Sequence, residues 1–361
     1  MNEAQRTEAF AELLRGREGE RHAVVLQDFP DPDAISCGFA YTILGEAFGI
    51  ETELIYGGRI SHQENIALIN LLDLELIQIE DKAKLTSDRY QACVFVDNQG
   101  TTSSLTDTLI KAEIPLLAVV DHHANQNFLE AEFMDLRPVG ACASIMTTYL
   151  MDEVVQMKAS KSEHRRLATA LMHGIISDTG AMIGATPIDF SAAAFLQPFC
   201  DGDMLNEIMH QQRSHRVMEV IRRALANRTT REGFCISGVG SIRAEDRDAI
   251  PQAAEFLLTE ETVHTAICFG LVARADGQES VQGSLRTTKH SLGPDAFLKD
   301  TLGRSHTGEY YGGGKAMAGG FEIPLGFLSG QDDGELSQMK WDAYNAKIRR
   351  KVFEKIGVEE H

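Results

Sequence analysis

An unbroken apolar run, Ile114-Pro115-Leu116-Leu117-Ala118-Val119-Val120, ends directly in Asp121-His122-His123. A strand with one wet face alternates apolar and polar residues; a continuous run of this kind predicts a strand buried on both faces, as in a parallel sheet. Three side chains of metal-ligand or acid–base type then emerge at its carboxyl end, the place where open α/β sheets bind ligands. Two further runs end the same way. Ala23-Val24-Val25-Leu26 leads into Gln27-Asp28-Phe29-Pro30-Asp31-Pro32-Asp33, and Cys93-Val94-Phe95-Val96 leads into Asp97. Carboxylates gathered from separate strand ends repel one another unless a cation lies among them. The pattern points to a di-metal site.

The rest of the chain supplies the helices such a sheet requires. Helical periodicity runs over Ala34 to Phe48, with Gly49 as a stop, then over His62 to Leu72 and Ser103 to Lys111. Glu53 to Tyr56, Leu74 to Ile79 and Ala131 to Leu136 have strand character. Strands alternating with helices predict an α/β fold with a mostly parallel sheet and right-handed crossovers. Ser144 to Met157 and Ser162 to Ile176 are helical, and the second delivers Asp178 to a turn marked by Gly180. At 361 residues the chain is long enough for more than one core. The expected division is a catalytic domain over 1–200, an Arg-bearing connecting helix over 201–230, a smaller α/β domain over 231–330 and a helical extension over 331–361.

Charge narrows the function. A formal net charge of −19 argues against a broad basic surface for duplex DNA. A phosphate-bearing substrate must then be small, or be met by a local cationic pocket. The six cysteines are widely spaced with no C-x-x-C pair, which argues against zinc-finger and thioredoxin-like motifs and suits reduced thiols in the cytoplasm. Residues 1–22 lack the apolar core of a signal peptide, and no run is long enough to cross a bilayer.

These residues together resemble the DHH–DHHA1 phosphoesterases, and among them the nanoRNase or oligoribonuclease type. The resemblance spans roughly Arg21 to Leu328. Asp31-Pro32-Asp33 is similar to the first family motif, Val96-Asp97-Asn98 to the second, Asp121-His122-His123 to the third and Gly174-Ile175-Ile176-Ser177-Asp178-Thr179-Gly180 to the fourth. Tyr310 to Phe321, with Gly312-Gly313-Gly314-Lys315 inside it, is similar to the substrate loop of the C-terminal DHHA1 domain. The resemblance implies two Mn²⁺ ions, with Mg²⁺ as a substitute. Asp31 and Asp97 would hold one ion; Asp33, Asp97, His122 and Asp178 would hold the other, with Asp97 bridging. Carboxylates suit such hard cations and one imidazole tilts the choice toward Mn²⁺. His123 would act beside the scissile phosphate as a donor or acid. Arg286, Gly312, Gly313, Gly314 and Lys315 would contact substrate, as would Ser144 in a segment resembling one that lines the family's cleft.

Two positions depart from the family. Four residues before the first Asp of the D-x-D motif the family usually has His, and this chain has Gln27. The Gly run usually ends in His, and here Lys315 follows it. Gln is a poorer transition-metal ligand than imidazole, so the first ion is expected to bind more weakly. Glycines let backbone amides approach a phosphate closely, and Lys315 adds a point charge there. Three glycines also suit a plain tight turn between strands.

The function implied is a metal-dependent phosphodiesterase. It would cleave very short single-stranded oligonucleotides, chiefly 5′-phosphorylated linear dinucleotides of the pGpG or pApA type, to mononucleotides. One domain would supply metals and hydroxide and the other would grip the far end of the substrate. The resemblance leaves a homodimer open. Hydrolysis of 3′-phosphoadenosine 5′-phosphate or of cyclic dinucleotides are alternatives. A nucleotide-binding regulator with an impaired metal site, suggested by Gln27 and Lys315, is an alternative of another class.

Overall fold

A computed structural model describes residues 2–60, 62–274, 277–315, 317–330 and 334–358. The chain divides into two units, Met1–Gln211 and Gln212–His361.

The first unit is built on six strands: β1 (Arg21–Val25), β2 (Glu51–Tyr56), β3 (Leu76–Gln78), β4 (Ala92–Val96), β5 (Leu116–Asp121) and β6 (Phe133–Leu136). They lie in the order β3-β2-β1-β4-β5-β6, and every neighbouring pair is parallel. The helices are α1 (Glu3–Leu14), α2 (Pro32–Glu46), α3 (Gln63–Leu71), α4 (Thr106–Lys111), α5 (Cys142–Met151), α6 (Ser162–Asp178), α7 (Pro187–Leu196) and α8 (Gly202–Met209). Successive strand residues face opposite sides of a sheet, and both sides are covered. Val24, Val94 and Val120 pack on one side with Ile35, Ile145 and Leu171. Val25, Phe95 and Val119 pack on the other with Leu105 and Leu109. That double burial explains the unbroken apolar runs. The strand order reverses between β1 and β4, so the segments leaving their carboxyl ends diverge over a shared crevice, the usual ligand position in such sheets.

The second unit holds α9 (His215–Asn227), β7 (Arg228–Arg231), β8 (Phe234–Arg243), α10 (Ala249–Leu257), β9 (Thr265–Ala273), β10 (Glu279–Thr287), α11 (Pro294–Leu302), β11 (Gly312–Gly314), β12 (Ala318–Pro324) and α12 (Gly334–Ile356). Its strand order is β11-β12-β10-β9-β8-β7, parallel at β8–β9 and antiparallel elsewhere.

Several elements differ from expectation. The polar stretch read as one connecting helix is two helices, α8 and α9, with the chain dividing between them at 211/212. Ser214 starts the second, its side chain accepting from Val217 N at 3.3 Å. Arg228, expected in that helix, begins β7 instead. The final helix is part of the second unit's core: Ile348, Val352 and Phe353 are buried there, and Trp341 lies against Phe269 with ring centroids 5.8 Å apart. The ends of that expected extension, 331–333 and 359–361, lie outside the described residues. Among the described residues no helix is long and apolar enough to cross a membrane, and the six cysteines are free.

Candidate metal centre

The site grows out of four chain segments of the first unit. After β1, Asp31 caps α2, its carboxylate accepting from Ala34 N at 2.9 Å, and Pro32 opens the helix with the φ it requires. Asp33 follows in the first turn, fully buried. Its two oxygens accept the backbone amides of Cys142 at 2.6 Å and Ala143 at 2.8 Å, the first residues of α5. Asp33 thus stands at two helix N-termini, where a carboxylate is favoured. Gly174 lets α6 pass close by: a Cβ there would sit 2.5 Å from Ser36 Oγ and 3.1 Å from Asp33 Oδ1.

After β4, Asp97 adopts φ 54°, a left-handed conformation that Asp and Asn tolerate better than most residues. A residue held there at a strand end carries backbone strain of the kind that accumulates at functional sites. After β5, Asp121 is completely buried and orients the two histidines. Its Oδ1 accepts from His122 N at 2.8 Å and from His123 Nδ1 at 2.8 Å, and its Oδ2 accepts from Gln99 Nε2 at 2.7 Å. Asp178 closes the set from the last turn of α6. A carboxylate at a helix C-terminus is electrostatically disfavoured, which makes a nearby cation the more valuable.

These side chains converge. His122 Nε2 lies 3.2 Å from Asp178 Oδ2 and 3.4 Å from Asp97 Oδ1. One group of potential ligand atoms combines Asp33, His122 and Asp178; another combines Asp97, Asp121, His122 and His123; each lies within a 4.8 Å span. Asp31 joins through Gln27, whose amide donates to Asp97 Oδ2 at 2.9 Å and to Asp31 Oδ2 at 3.3 Å.

The fit to a divalent cation rests on two orphaned atoms. His122 places its Nδ1 against Val139 O at 3.1 Å, which puts a proton there and leaves Nε2 as the nitrogen turned toward the acids, the orientation of a metal-binding imidazole. Nε2 and Asp97 Oδ1 are both buried and neither makes a hydrogen bond. Buried polar atoms are nearly always paired, so two orphans facing each other at ion-binding spacing mark a place for a cation. Electrostatics agree. Burial, reinforced by the Asp178 and Asp31 charges, pushes the Asp33 carboxyl up to about 8. Burial and the charges of Asp33 and Asp31 take Asp97 well above its ordinary value, and burial raises Asp31. For His122 burial alone would lower the pKa, but the nearby Asp178 and Asp33 carboxylates lift it to about 9, so a cation entering between them displaces a proton from Nε2. Burial would likewise raise Asp121, yet the bonds from His123 and Gln99 hold it below the usual carboxylate range.

The sequence assignments for Asp31, Asp33, Asp97, His122, His123 and Asp178 therefore fall in one place. Ser144 does not reach solvent: it is fully buried in α5. Arg286 lies on β10 in the second unit, where it donates to Glu255 at 3.1 Å and to Ser284 at 2.7 Å. Gly312, Gly313 and Gly314 form an edge strand instead of a loop, paired with β12. Gly314 N is taken by Asp295 Oδ1 at 3.2 Å. Lys315 follows, exposed, with no ion pair from its ammonium among the described residues. Gln99 escaped the sequence reading because a neutral amide behind Asp97-Asn98 carries no pattern of its own.

No family model matches the chain. An uncharacterized protein of Methanocaldococcus jannaschii is 36% identical over 335 residues, covering 92% of this chain and 63% of that protein. A probable manganese-dependent inorganic pyrophosphatase of Enterococcus faecalis is 30% identical over 152 residues, 42% of this chain and 45% of that one. The chain thus spans less than two thirds of these relatives' lengths. The crystal structure of an exopolyphosphatase-related protein from Bacteroides fragilis superposes with a TM-score of 0.68 at 12% identity, covering 96% of this chain and 98% of that one. This last similarity is one of fold.

Proposed function

We propose that this chain, a DHH-type protein in motif order and fold, is a divalent-metal-dependent phosphodiesterase. Its substrates are short oligonucleotides, 5′-phosphorylated linear dinucleotides above all, and its products nucleoside monophosphates. The observation that carries the reading is the pair of buried, unpartnered atoms, His122 Nε2 and Asp97 Oδ1, at the meeting point of four acids. The relatives that include manganese-dependent pyrophosphatases support a phosphoryl-transfer chemistry.

Asp31, Asp33, Asp97, His122 and Asp178 would hold two ions, Mn²⁺ or Mg²⁺, with Asp97 shared. Bound ions of this kind neutralise phosphoryl oxygens and lower the pKa of water to make a nucleophile near neutral pH. The chain's own part is then positional and protic. Asp33 is locked by two amides, so its oxygens cannot swing away. His123 is about half exposed, with its Nδ1 proton donated to Asp121. Its Nε2 is left to face the substrate, where a protonated ring can give a proton to the leaving ribose oxygen. Asp121 stabilises that charged ring while it lasts.

The test is product analysis with Mn²⁺ and with a chelator. The panel is pGpG, pApA, longer oligomers to five residues, 3′-phosphoadenosine 5′-phosphate, cyclic di-GMP and inorganic pyrophosphate. Metal-dependent release of mononucleotide, fastest from the dinucleotides, is expected. Faster hydrolysis of pyrophosphate or of 3′-phosphoadenosine 5′-phosphate would replace the reading. Tight dinucleotide binding without turnover would make the protein a regulator.

A further inference from the structure

The first unit contains a cavity of about 310 Å³ that the metal chemistry leaves unexplained. Asp31 and Ser177 form part of its wall, and Ser177 adjoins Asp178, so the cavity shares residues and neighbours with the metal centre. Phe29 stands at its edge with 71% of its surface exposed, and it belongs to neither core cluster of the unit. A large aromatic ring left in water between Asp28 and Pro30 is not explained by packing. The segment is nevertheless held firmly: buried Asn65 donates its side-chain amide to Pro30 O at 2.8 Å. Arg59, also in the wall, is exposed and makes no ion pair or side-chain hydrogen bond among the described residues.

The lining discriminates between kinds of ligand. A chain of phosphates would need cations along its whole length. Here Phe29, Pro30, Pro32 and Ile60 supply the apolar part of the wall, and Arg59 and His62 share the rest with the carboxylates of Asp31 and Glu64. Apolar and aromatic surface beside polar groups of both signs suits a flat heteroaromatic ring, for which an exposed Phe is a ready stacking partner. The volume falls within the range of small-molecule clefts, about 300–1,000 Å³. We propose that this cavity receives the nucleobase of a nucleotide whose phosphate lies at the metal centre, with Phe29 as the stacking surface and Arg59 as the cationic contact at the rim. The proposal rests on the nucleotide reading above and adds to it a specificity site that inorganic phosphates cannot use.

Two measurements decide it. In steady-state assays on a 5′-phosphorylated dinucleotide, Phe29→Ala should lower kcat/KM about tenfold, chiefly through KM. Phe29→Trp should restore it, and Mn²⁺ binding by calorimetry should match wild type in both. An unchanged KM in Phe29→Ala, or failure of Phe29→Trp to restore it, overturns the stacking role. Independently of turnover, the full-length protein is photolabelled with 8-azidoadenosine 5′-monophosphate in Mn²⁺ and the peptides are mapped. Label is expected on the segments bearing Phe29 or Arg59 and should be lost with Phe29→Ala; label only elsewhere overturns the proposal. A wild-type protein that cleaves no nucleotide yet labels at these segments would sink the phosphodiesterase reading and leave the base site standing.

Discussion

Gln27 donates its side-chain amide to Asp97 Oδ2 at 2.9 Å, across the crevice between two adjacent parallel strands. The same nitrogen reaches Asp31 Oδ2 at 3.3 Å. A neutral donor therefore bridges the two carboxylates expected to share the first ion. An imidazole nitrogen in this place would be a ligand; an amide NH₂ competes with the ion for the same oxygens. Gln27→His is expected to tighten the first site and lower the Mn²⁺ concentration for half-maximal rate. A metal titration of turnover checks it, and an unchanged or higher requirement would place residue 27 outside the coordination shell.

Asp97 should be the least replaceable residue of the centre. It is buried, it stands among Asp31, Asp33 and Asp178, and its Oδ1 lacks a hydrogen-bond partner. Asn fits its left-handed backbone equally well, so Asp97→Asn removes charge while sparing the fold. Turnover should fall by about a hundredfold or more, with loss of bound manganese by elemental analysis. In the metal-free protein the same change relieves carboxylate repulsion. The melting temperature should rise by about 2–4 °C for each kcal/mol so relieved in a unit of this size. Near-normal activity in this variant would end the di-metal assignment.

The Asp121–His123 contact separates orientation from metal binding. Asp121 fixes the proton on His123 Nδ1 while touching neither Asp33 nor Asp178 by hydrogen bond or ion pair. Asp121→Asn weakens that hold without removing any of the five assigned ligands. A loss of about 10²–10⁴ in kcat is expected, with manganese content close to wild type. Gln99→Leu, which removes the donor to Asp121 Oδ2, should move the same way by a smaller factor. Loss of metal in step with kcat would make Asp121 a structural prop for the whole site instead.

The convergence of the candidate ligands was legible because most of them lie just beyond a strong local pattern. Val25, Val96 and Val120 are buried in a doubly covered sheet, and the polar residues that follow such runs emerge at its carboxyl edge. Asp178 was legible through helical periodicity and Gly180, whose φ of 57° ends α6. Tertiary pairing was not legible. Gly312 to Gly314 read as a loop because glycine has little intrinsic preference for strands. They pair with β12 because only glycine allows so close an approach; a Cβ at Gly314 would lie 2.6 Å from Ala318 O. The helical character of α12 was visible, but its partner was not. Trp341 lies over Gly238, where a Cβ would meet the indole at 2.7 Å, and no local feature of either segment announces the other.

Lys315 gives the sharpest test of substrate choice. The Gly run was expected to offer several amides to a phosphate, yet Gly314 N is already bound to Asp295 and the strand is paired with β12. Phosphate recognition there would fall to the lysine ammonium, a hydrated point charge that needs no fixed plane in its partner. Its own amide donates to Ala318 O at 2.8 Å, so the backbone at Lys315 is held to β12. A terminal 5′-phosphate carries more negative charge than a bridging diester, and a single cation distinguishes the two. Loss of one charge-assisted hydrogen bond corresponds to a change of roughly ten- to hundredfold. Lys315→Ala is therefore expected to lower kcat/KM by about that factor on a 5′-phosphorylated dinucleotide. It should barely alter hydrolysis of bis-p-nitrophenyl phosphate, which has no phosphate end to hold. Measuring both substrates on both proteins separates the cases. Equal losses would assign Lys315 to the chemical step or to support of the second unit, and recognition of the 5′ end would have to be sought at other residues.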